Sequence, residues 1–491
     1  MNNNLKNIAV DLTPILPGGL NGGAKIFVLN LLDTLASIAP HTQFVLLTQT
    51  SSHEELASLD RPNMRRLNVA VKQNNSNVLL RNLNVDLLFC PFTAPTYFEP
   101  GIPTVCTIYD LQYKTYPEFF SDQDIVQRDR TFIEACTLAT MLAPISEYSR
   151  ISAIKHGEID TSKIRTIHLR MAQRIVTGVE GEKDALARLG LTPKRYLLYP
   201  ANFWKHKNHE MLFTAFGLAC REGLPADVKL VCTGALGARR DWLMKAIEAM
   251  SLEDRVIFPG YVSNAELAIL MENCNGLVFP SLYEGFGMPI IEAMAMGVPV
   301  ACSNTTSLLE VGGDAVIFFD PRIPSQIAQA IVSLVNDDKL HARLIQSGWK
   351  RAEEFSDSER MAREYWDLFQ LAMDTHESRQ TQTLKGWAYE ARAEASSLRE
   401  QNVSAQEQVQ TLTAWVHEAR AEASLLLEQN VSAQEQIQTL TAWVHEARAE
   451  ASSLLEQNVS AQEQVQTLTK WVHEARTEIT LLREKNIEAR E

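Results

Sequence analysis

The chain is 491 residues long with a formal net charge of −14. That length holds two or three domains with sizeable cores, and the acidic balance argues against general nucleic-acid binding. No apolar run is long enough for a bilayer span, and Met1-Asn-Asn-Asn-Leu-Lys6 lacks the pattern of a signal peptide. The seven cysteines, Cys90, Cys106, Cys136, Cys220, Cys232, Cys274 and Cys302, are scattered and set mostly in apolar runs. They read as small buried hydrophobes in a reducing compartment, so a cytoplasmic protein is expected.

Ile8-Ala-Val-Asp-Leu12 predicts a first strand, followed by a loop over Pro14–Gly23 that carries Gly22-Gly23. Lys25–Ala36 has the apolar spacing of a helix, and Phe44–Leu47 predicts the next strand. This strand–glycine loop–helix–strand order predicts a parallel sheet, which Asp86–Cys90, Thr104–Ile108 and Met141–Pro144 continue. Glu180-Gly181-Glu182 interrupts the apolar pattern and marks an expected linker after a first domain at 1–180. A second set of strands follows at Tyr196–Tyr199, Lys229–Cys232, Val256–Phe258 and Leu277–Phe279. The expectation is an α/β fold of two doubly wound Rossmann-like domains with a cleft between them, the second at 181–357.

Within the second domain, Glu284-Gly-Phe-Gly-Met-Pro-Ile-Ile-Glu292 puts two carboxylates eight positions apart across a glycine loop. Gly276–Pro280 reads as the strand before it, Ile290–Met296 as the helix after it, and Val298–Ala301 as the next strand. Pro289 is expected at the first helical position. The free N–H groups there, with Gly285 and Gly287 permitting close backbone approach, suit a diphosphate. Glu292 could accept from a hydroxyl pair such as a ribose diol. A solvated helix start with a capping Glu fits the same residues.

From about Leu384 proline vanishes, and Ala, Glu and Gln dominate. Trp387, Trp415, Trp443 and Trp471 recur every 28 residues, as do Asn402, Asn430, Asn458 and Asn486; this period is four heptads. With Val416 at position a, Ala423, Asn430, Ile437 and Val444 also fall at a, and Ala419, Leu426, Ala433 and Leu440 at d. The register predicts a left-handed coiled coil over 381–491, a rod on the order of 160 Å. An Asn at position a in every fourth heptad favours a parallel, in-register dimer, while the alanine-rich seam leaves a trimer open. The tryptophans fall at g, beside the seam, where they either pack over alanines or face a partner.

Several segments together carry a family resemblance. They are Pro280-Ser-Leu-Tyr-Glu-Gly-Phe-Gly-Met-Pro289 through Glu292-Ala293, Gly297-Val-Pro-Val300, Lys207-Asn208, Gly260-Tyr-Val-Ser263 with Glu266-Leu267, and Ser146-Glu-Tyr-Ser149. Over residues 7–366, about three quarters of its length, the chain resembles the retaining glycosyltransferases of family four. The resemblance implies the GT-B fold, with a helix over Ser358–Met373 crossing back to the first domain and a linker running to residue 380. It implies transfer of a sugar, mannose or another hexose, from a nucleotide-diphosphate sugar to a glycan or lipid-linked glycan acceptor in bacterial surface polysaccharide (O-antigen-type) synthesis. No metal or other cofactor is expected.

In this reading Lys207 and Glu284 are the catalytic residues. Lys205, Asn202, Gly285, Phe286, Gly287, Met288, Glu292, Tyr261, Val262, Gly22, Gly23, Tyr109 and Asp110 line the donor site. Two departures bear on it: Asn202 stands near where the family has an Arg, and Tyr109 stands where it has a His. Tyr109 can donate through its hydroxyl but cannot become cationic near neutral pH. A second reading, a weakly active or inactive scaffold that organises glycan-assembly partners through its tail, draws on these departures. Arg65-Arg66, Lys72 and Arg81 form the densest basic region of the first domain; a solvated face and a peripheral contact with the inner face of the cytoplasmic membrane both fit it.

Overall fold

The computed structural model describes residues 5–18, 21–69, 79–171, 175, 182–235 and 239–375, and in the tail 392–393, 395–399, 402–418, 421 and 434–488. The chain divides into two compact units, residues 1–98 with 102–376, and residues 99–101 with 377–491. Among the described residues no helix is long and apolar enough to cross a membrane.

The first unit holds two six-stranded sheets. Strands β1 (Asn7–Asp11), β2 (Gln43–Thr48), β3 (Met64–Asn68), β4 (Leu87–Cys90), β5 (Thr104–Ile108) and β6 (Met141–Pro144) lie in the order β3-β2-β1-β4-β5-β6. The second sheet comprises β7 (Tyr196–Pro200), β8 (Lys229–Thr233), β9 (Val256–Gly260), β10 (Gly276–Phe279), β11 (Val300–Ser303) and β12 (Val316–Phe319). Its order, β12-β11-β10-β7-β8-β9, repeats the first when β7 is counted as the first strand. Every strand pair is parallel. The inner strands β1, β4, β5, β7, β8 and β10 are apolar runs, as strands covered on both faces must be.

Strands β3 and β12 were not expected from the sequence. Both are edge strands, and β3 reads Met-Arg-Arg-Leu-Asn, with Arg65 exposed. An edge does not need a continuous apolar run, so hydrophobic patterning misses β3, whereas β12 is Val-Ile-Phe-Phe, a short apolar run that pattern alone does not separate from buried helix. Strand β11 starts at Val300 and not at the expected Val298, because Pro299 has no N–H to give a ladder.

The Ser358–Asp374 helix is capped by Asp357, which accepts from the Arg360 N–H at 2.7 Å. It carries Tyr365 and Phe369 onto the first sheet, with ring centroids 5.5 and 5.1 Å from Phe89, and the Tyr365 hydroxyl lies 3.3 Å from the Thr107 hydroxyl on β5. This is the expected crossover. Of the expected linker, Glu180 and Gly181 lie outside the described residues, and Glu182 opens a short helix, Glu182–Arg188.

In the second unit, residues 402–418 are helical and a second helix spans Gln434–Glu488. Ala395, Val416, Val444 and Asn458 are buried, and residues 398, 402, 405, 409, 412, 447, 451, 454 and 465 are half-buried, while residues 392, 393 and 396 are half-buried off the seam. Apart from those last three, all of these are a or d positions of the expected register. The two helical stretches lie antiparallel: Asn402 meets Asn458 through side-chain bonds of 3.3–3.4 Å, and Val416 packs with Val444. The repeat therefore pairs within one chain, which differs from the single extended rod that the unbroken heptads suggest. Trp415 and Trp443 sit at ring centroids 4.8 Å apart, both about half exposed, beside this seam. Asn430, where the Asn ladder would continue, lies outside the described residues.

Candidate active site

In each sheet the strand order reverses beside the first strand, between β1 and β4 and between β7 and β10. Open α/β sheets bind ligands beyond the carboxyl ends of the strands at such a point. The loops after β7 and β10 hold most of the expected site.

Three side chains stitch these loops together. The Tyr199 hydroxyl, at the end of β7, donates to the Lys207 carbonyl at 2.7 Å and lies 3.2 Å from the Ser281 hydroxyl. The buried Asn208 amide donates to the Pro280 carbonyl at 3.1 Å and the Pro321 carbonyl at 2.9 Å. Asn208 reaches them from a left-handed backbone, φ +61°, which Asn tolerates better than most residues. The result sets Lys207 Nζ 2.6 Å from Glu284 Oε1, with both side chains largely buried. His209, with its ring stacked on Phe203 at 4.2 Å, is pushed down to about 3 by burial, so it is neutral near pH 7. Of the basic side chains on this loop, Lys207 is the one that meets Glu284, while Lys205 is exposed.

The Glu284 loop is held from below by the segment after β11. The Thr306 hydroxyl accepts from the Glu284 N–H at 3.1 Å, and the Ser307 hydroxyl donates to the Glu284 and Phe286 carbonyls at 2.9 and 3.0 Å. Gly287 has φ +105°, and a Cβ there would lie 2.6 Å from Leu308 Cδ2, so no other residue fits without strain. The helix that follows is Met288–Ala295, so Pro289 is its second residue and not its first. A missing N–H is equally free of cost there, because the first four N–H groups have no intrahelical partner. Glu292 is 1% exposed on this helix.

The other lobe faces this loop with two of its own. Gly22 and Gly23 open the helix after β1, and a Cβ on Gly23 would lie 3.7 Å from Met288 Sδ, so the glycine pair stands opposite the start of the Met288 helix. Tyr109 and Asp110 follow β5 and press on Gly285, where a Cβ would fall 2.6 Å from the Tyr109 carbonyl oxygen. Asp110 accepts from the Gln112 N–H at 2.9 Å, and burial raises its carboxyl above the usual range. The charges of Glu284 and Lys207 act on it across the cleft.

Other expected residues sit apart. The Tyr109 hydroxyl is buried, without a hydrogen-bond partner among the described residues, and its ring packs 6.2 Å from Phe27 and 6.5 Å from Phe92. Its contribution to the cleft is its backbone, not the hydroxyl that the sequence suggested. The Asn202 side chain accepts from the Ala235 N–H at 2.9 Å and so fixes the loop after β8. Lys205 is exposed, Tyr261 is 76% exposed, and Val262 is half-buried. Arg66 is bound to Asp60 at 2.8 Å, and Lys72 lies outside the described residues. Among the described residues no cluster of three or more His, Cys, Asp or Glu is arranged to hold a metal ion.

Sequence reasoning missed the supporting residues Tyr199, Thr306, Ser307 and Glu310. Nothing local distinguishes them: Thr306 and Ser307 act on a loop some twenty positions away, the Glu310 carboxylate accepts from the Glu147 and Tyr148 N–H groups, and Tyr199 joins nearby Lys207 to distant Ser281.

Known proteins bear on this geometry. Residues 183–351 match the family described as "Glycosyl transferases group 1". O-antigen chain mannosyltransferase B of Escherichia coli is 30% identical over 272 residues, covering 54% of this chain and 70% of that protein. A serotype-specific mannosyltransferase, WbdA, also from Escherichia coli, is 25% identical over 262 residues; the match covers 52% of this chain but only 32% of WbdA. Among solved structures, Anabaena HepE in complex with UDP and glucose superposes with a TM-score of 0.60 at 18% identity, covering 74% of this chain and 99% of that one. WaaG, a glycosyltransferase involved in lipopolysaccharide biosynthesis, superposes with a TM-score of 0.57 at 14% identity, covering 74% of this chain and 99% of that one. These two likenesses concern the fold.

Proposed function

Because this chain belongs to the glycosyl transferases group 1 family, we propose that it moves a hexose, mannose first among the candidates, from a nucleotide-diphosphate sugar to a growing surface glycan with retention of anomeric configuration. The observation that carries the reading is the Lys207–Glu284 pair, 2.6 Å apart at the switch point of the second sheet. Breaking the donor's glycosidic bond places negative charge on the departing diphosphate, which fixed donors must stabilise. Lys207 supplies the cation, and the N–H groups at the start of the Met288–Ala295 helix, approached past Gly285 and Gly287, supply dipoles. No metal is needed in this scheme.

Glu284 orients the donor sugar beside Lys207 and offsets positive charge developing on the ring. The two carboxylates have different surroundings, and buried Glu292 serves the ribose. Gly22-Gly23 and Asp110 complete the donor site from the other lobe, Tyr261 and Val262 border the base, and Asn202 and Lys205 take second-rank roles. The O-antigen chain mannosyltransferase among the relatives supports a glycan acceptor; a lipid-linked acceptor met at the inner face of the membrane belongs to the same reading. Self-association through the 28-residue repeats belongs to the same reading; the half-exposed Val403, Leu455 and Val459 support it.

Incubation of the full chain with GDP-mannose and an acceptor-bearing membrane extract tests the proposal, with the new linkage read by NMR. An α-mannosyl product from the α-linked donor is expected. A β-linked product would refute retention, and transfer only from a non-hexose donor would refute the sugar class.

A further inference from the structure

The Glu147–Gly157 helix of the first lobe begins beside the cleft. Its first free N–H groups need acceptors from outside the helix. The Ser149 N–H is capped by the Ser146 hydroxyl of the same lobe at 3.0 Å. The Glu147 and Tyr148 N–H groups are capped from the other lobe: they donate to Glu310 Oε2 at 2.9 Å and Oε1 at 3.1 Å. One carboxylate thus bridges both amides at the positive end of a helix dipole, the arrangement in which a charged acceptor is strongest. His168 Nε2 stands 3.6 Å from the same carboxylate.

Glu310 is rigidly mounted. The Arg351 guanidinium donates to the Glu310 carbonyl, and at 3.1 Å to the Val311 carbonyl. Three and four residues before Glu310 stand Ser307 and Thr306, the two hydroxyls that hold the Glu284 loop. The capped helix grips the same loop from the opposite side. Its Ser149 hydroxyl donates to the Tyr109 carbonyl at 2.7 Å and to the Gly285 carbonyl at 3.4 Å. The Tyr283 hydroxyl accepts from the Leu111 N–H at 3.3 Å close by. One short segment therefore fixes the catalytic loop and also reaches across the cleft to the other lobe.

We infer that Glu310 is a positioning residue that latches the two lobes together by capping the Glu147–Gly157 helix, so that Glu284 and Lys207 are presented to Asp110 and Gly22-Gly23 only when the latch is made. With the lobes apart, water satisfies the carboxylate and both N–H groups, so the latch favours closure with little effect on the stability of either lobe. The consequence for rate rests on the transferase reading above, but the latch itself does not. Donor groups sit mainly on the second lobe, so losing the latch lowers the closed fraction in which chemistry occurs more than it weakens donor binding.

The test uses full-length Glu310→Ala and Glu310→Gln. Hydrogen–deuterium exchange is read at single amides, alongside donor kinetics and the melting temperature. In Glu310→Ala the Glu147 and Tyr148 amides are expected to exchange about tenfold faster or more, while the Ser149 amide, capped within its own lobe, does not change. Glu310→Gln keeps one acceptor oxygen and is expected to fall between wild type and Glu310→Ala. The kcat for nucleoside diphosphate release should fall about tenfold with donor KM within about twofold, at an unchanged melting temperature. Unchanged exchange at Glu147 and Tyr148 would overturn the latch. Faster exchange with an unchanged kcat would overturn its role in positioning. A wild type that releases no diphosphate from any donor would count against the transferase reading, and the exchange data would still decide the latch.

Discussion

Asp11, at the carboxyl end of β1, is 1% exposed; its Oδ1 accepts from the Thr13 N–H at 3.0 Å and the Thr13 hydroxyl at 2.6 Å, and Thr96 lies near the carboxylate. Burial pushes its carboxyl up to about 6 from an ordinary 3.8, so the folded chain holds a proton there that the unfolded chain has released. Stability therefore falls as pH rises from about 4 through about 6 and stays lower above that. Asp11→Asn keeps the Thr13 bonds and cannot ionise. Urea unfolding is expected to show the variant gaining on wild type by about 1 kcal/mol between pH 5 and pH 8. A difference that stays constant across that range would show that Asp11 is ionised throughout. At this scale the sequence was partly legible. Glu284, Gly285, Gly287 and Lys207 stood out because they fall in the segments that carry the family resemblance, since a Glu pair or a glycine loop alone also fits a solvated helix start. Ser307 and Glu310 did not, because a hydroxyl or carboxylate that works on a partner more than twenty positions away leaves no local pattern.

Elements were read well where a periodic apolar pattern defines them, and less well where pairing decides. The strands Thr104–Ile108 and Met141–Pro144 appear at their expected bounds because every residue in them is buried, and strands covered on both faces read as largely apolar runs. In the tail, the heptad register predicts which faces are least exposed, yet it does not say which segment they meet. An a-position Asn layer is satisfied equally by a parallel copy or by an antiparallel stretch of the same chain, and the structure pairs Asn402 with Asn458. Asn402→Cys/Asn458→Cys tests this pairing. Mild oxidation is expected to give a monomeric band whose tryptic map contains a 402–458 disulfide. Chains joined 402 to 402 and 458 to 458 would instead establish the parallel, in-register dimer.

The whole molecule repeats one sheet topology twice, and the repetition explains why its centre of chemistry lies where it does. Each sheet reverses its order beside its first strand, and the loops after β1, β5, β7 and β10 supply Gly23, Asp110, Lys207 and Glu284. The two-lobe fold was legible in the alternation of strands and helices. The closeness of the lobes was not, because it depends on contacts such as Gly285 against Tyr109 that join loops of the two lobes far apart in the chain. The central claim is that the Lys207–Glu284 corner cleaves a nucleotide-diphosphate sugar. Its most direct test is nucleoside diphosphate release from GDP-, UDP-, ADP- and dTDP-sugars, with membrane acceptor present, by wild type, Lys207→Ala and Glu284→Ala. Release from one donor class by wild type, reduced about 100-fold or more in both variants, is predicted. Release that survives in both variants, or wild-type silence across the panel, would contradict it.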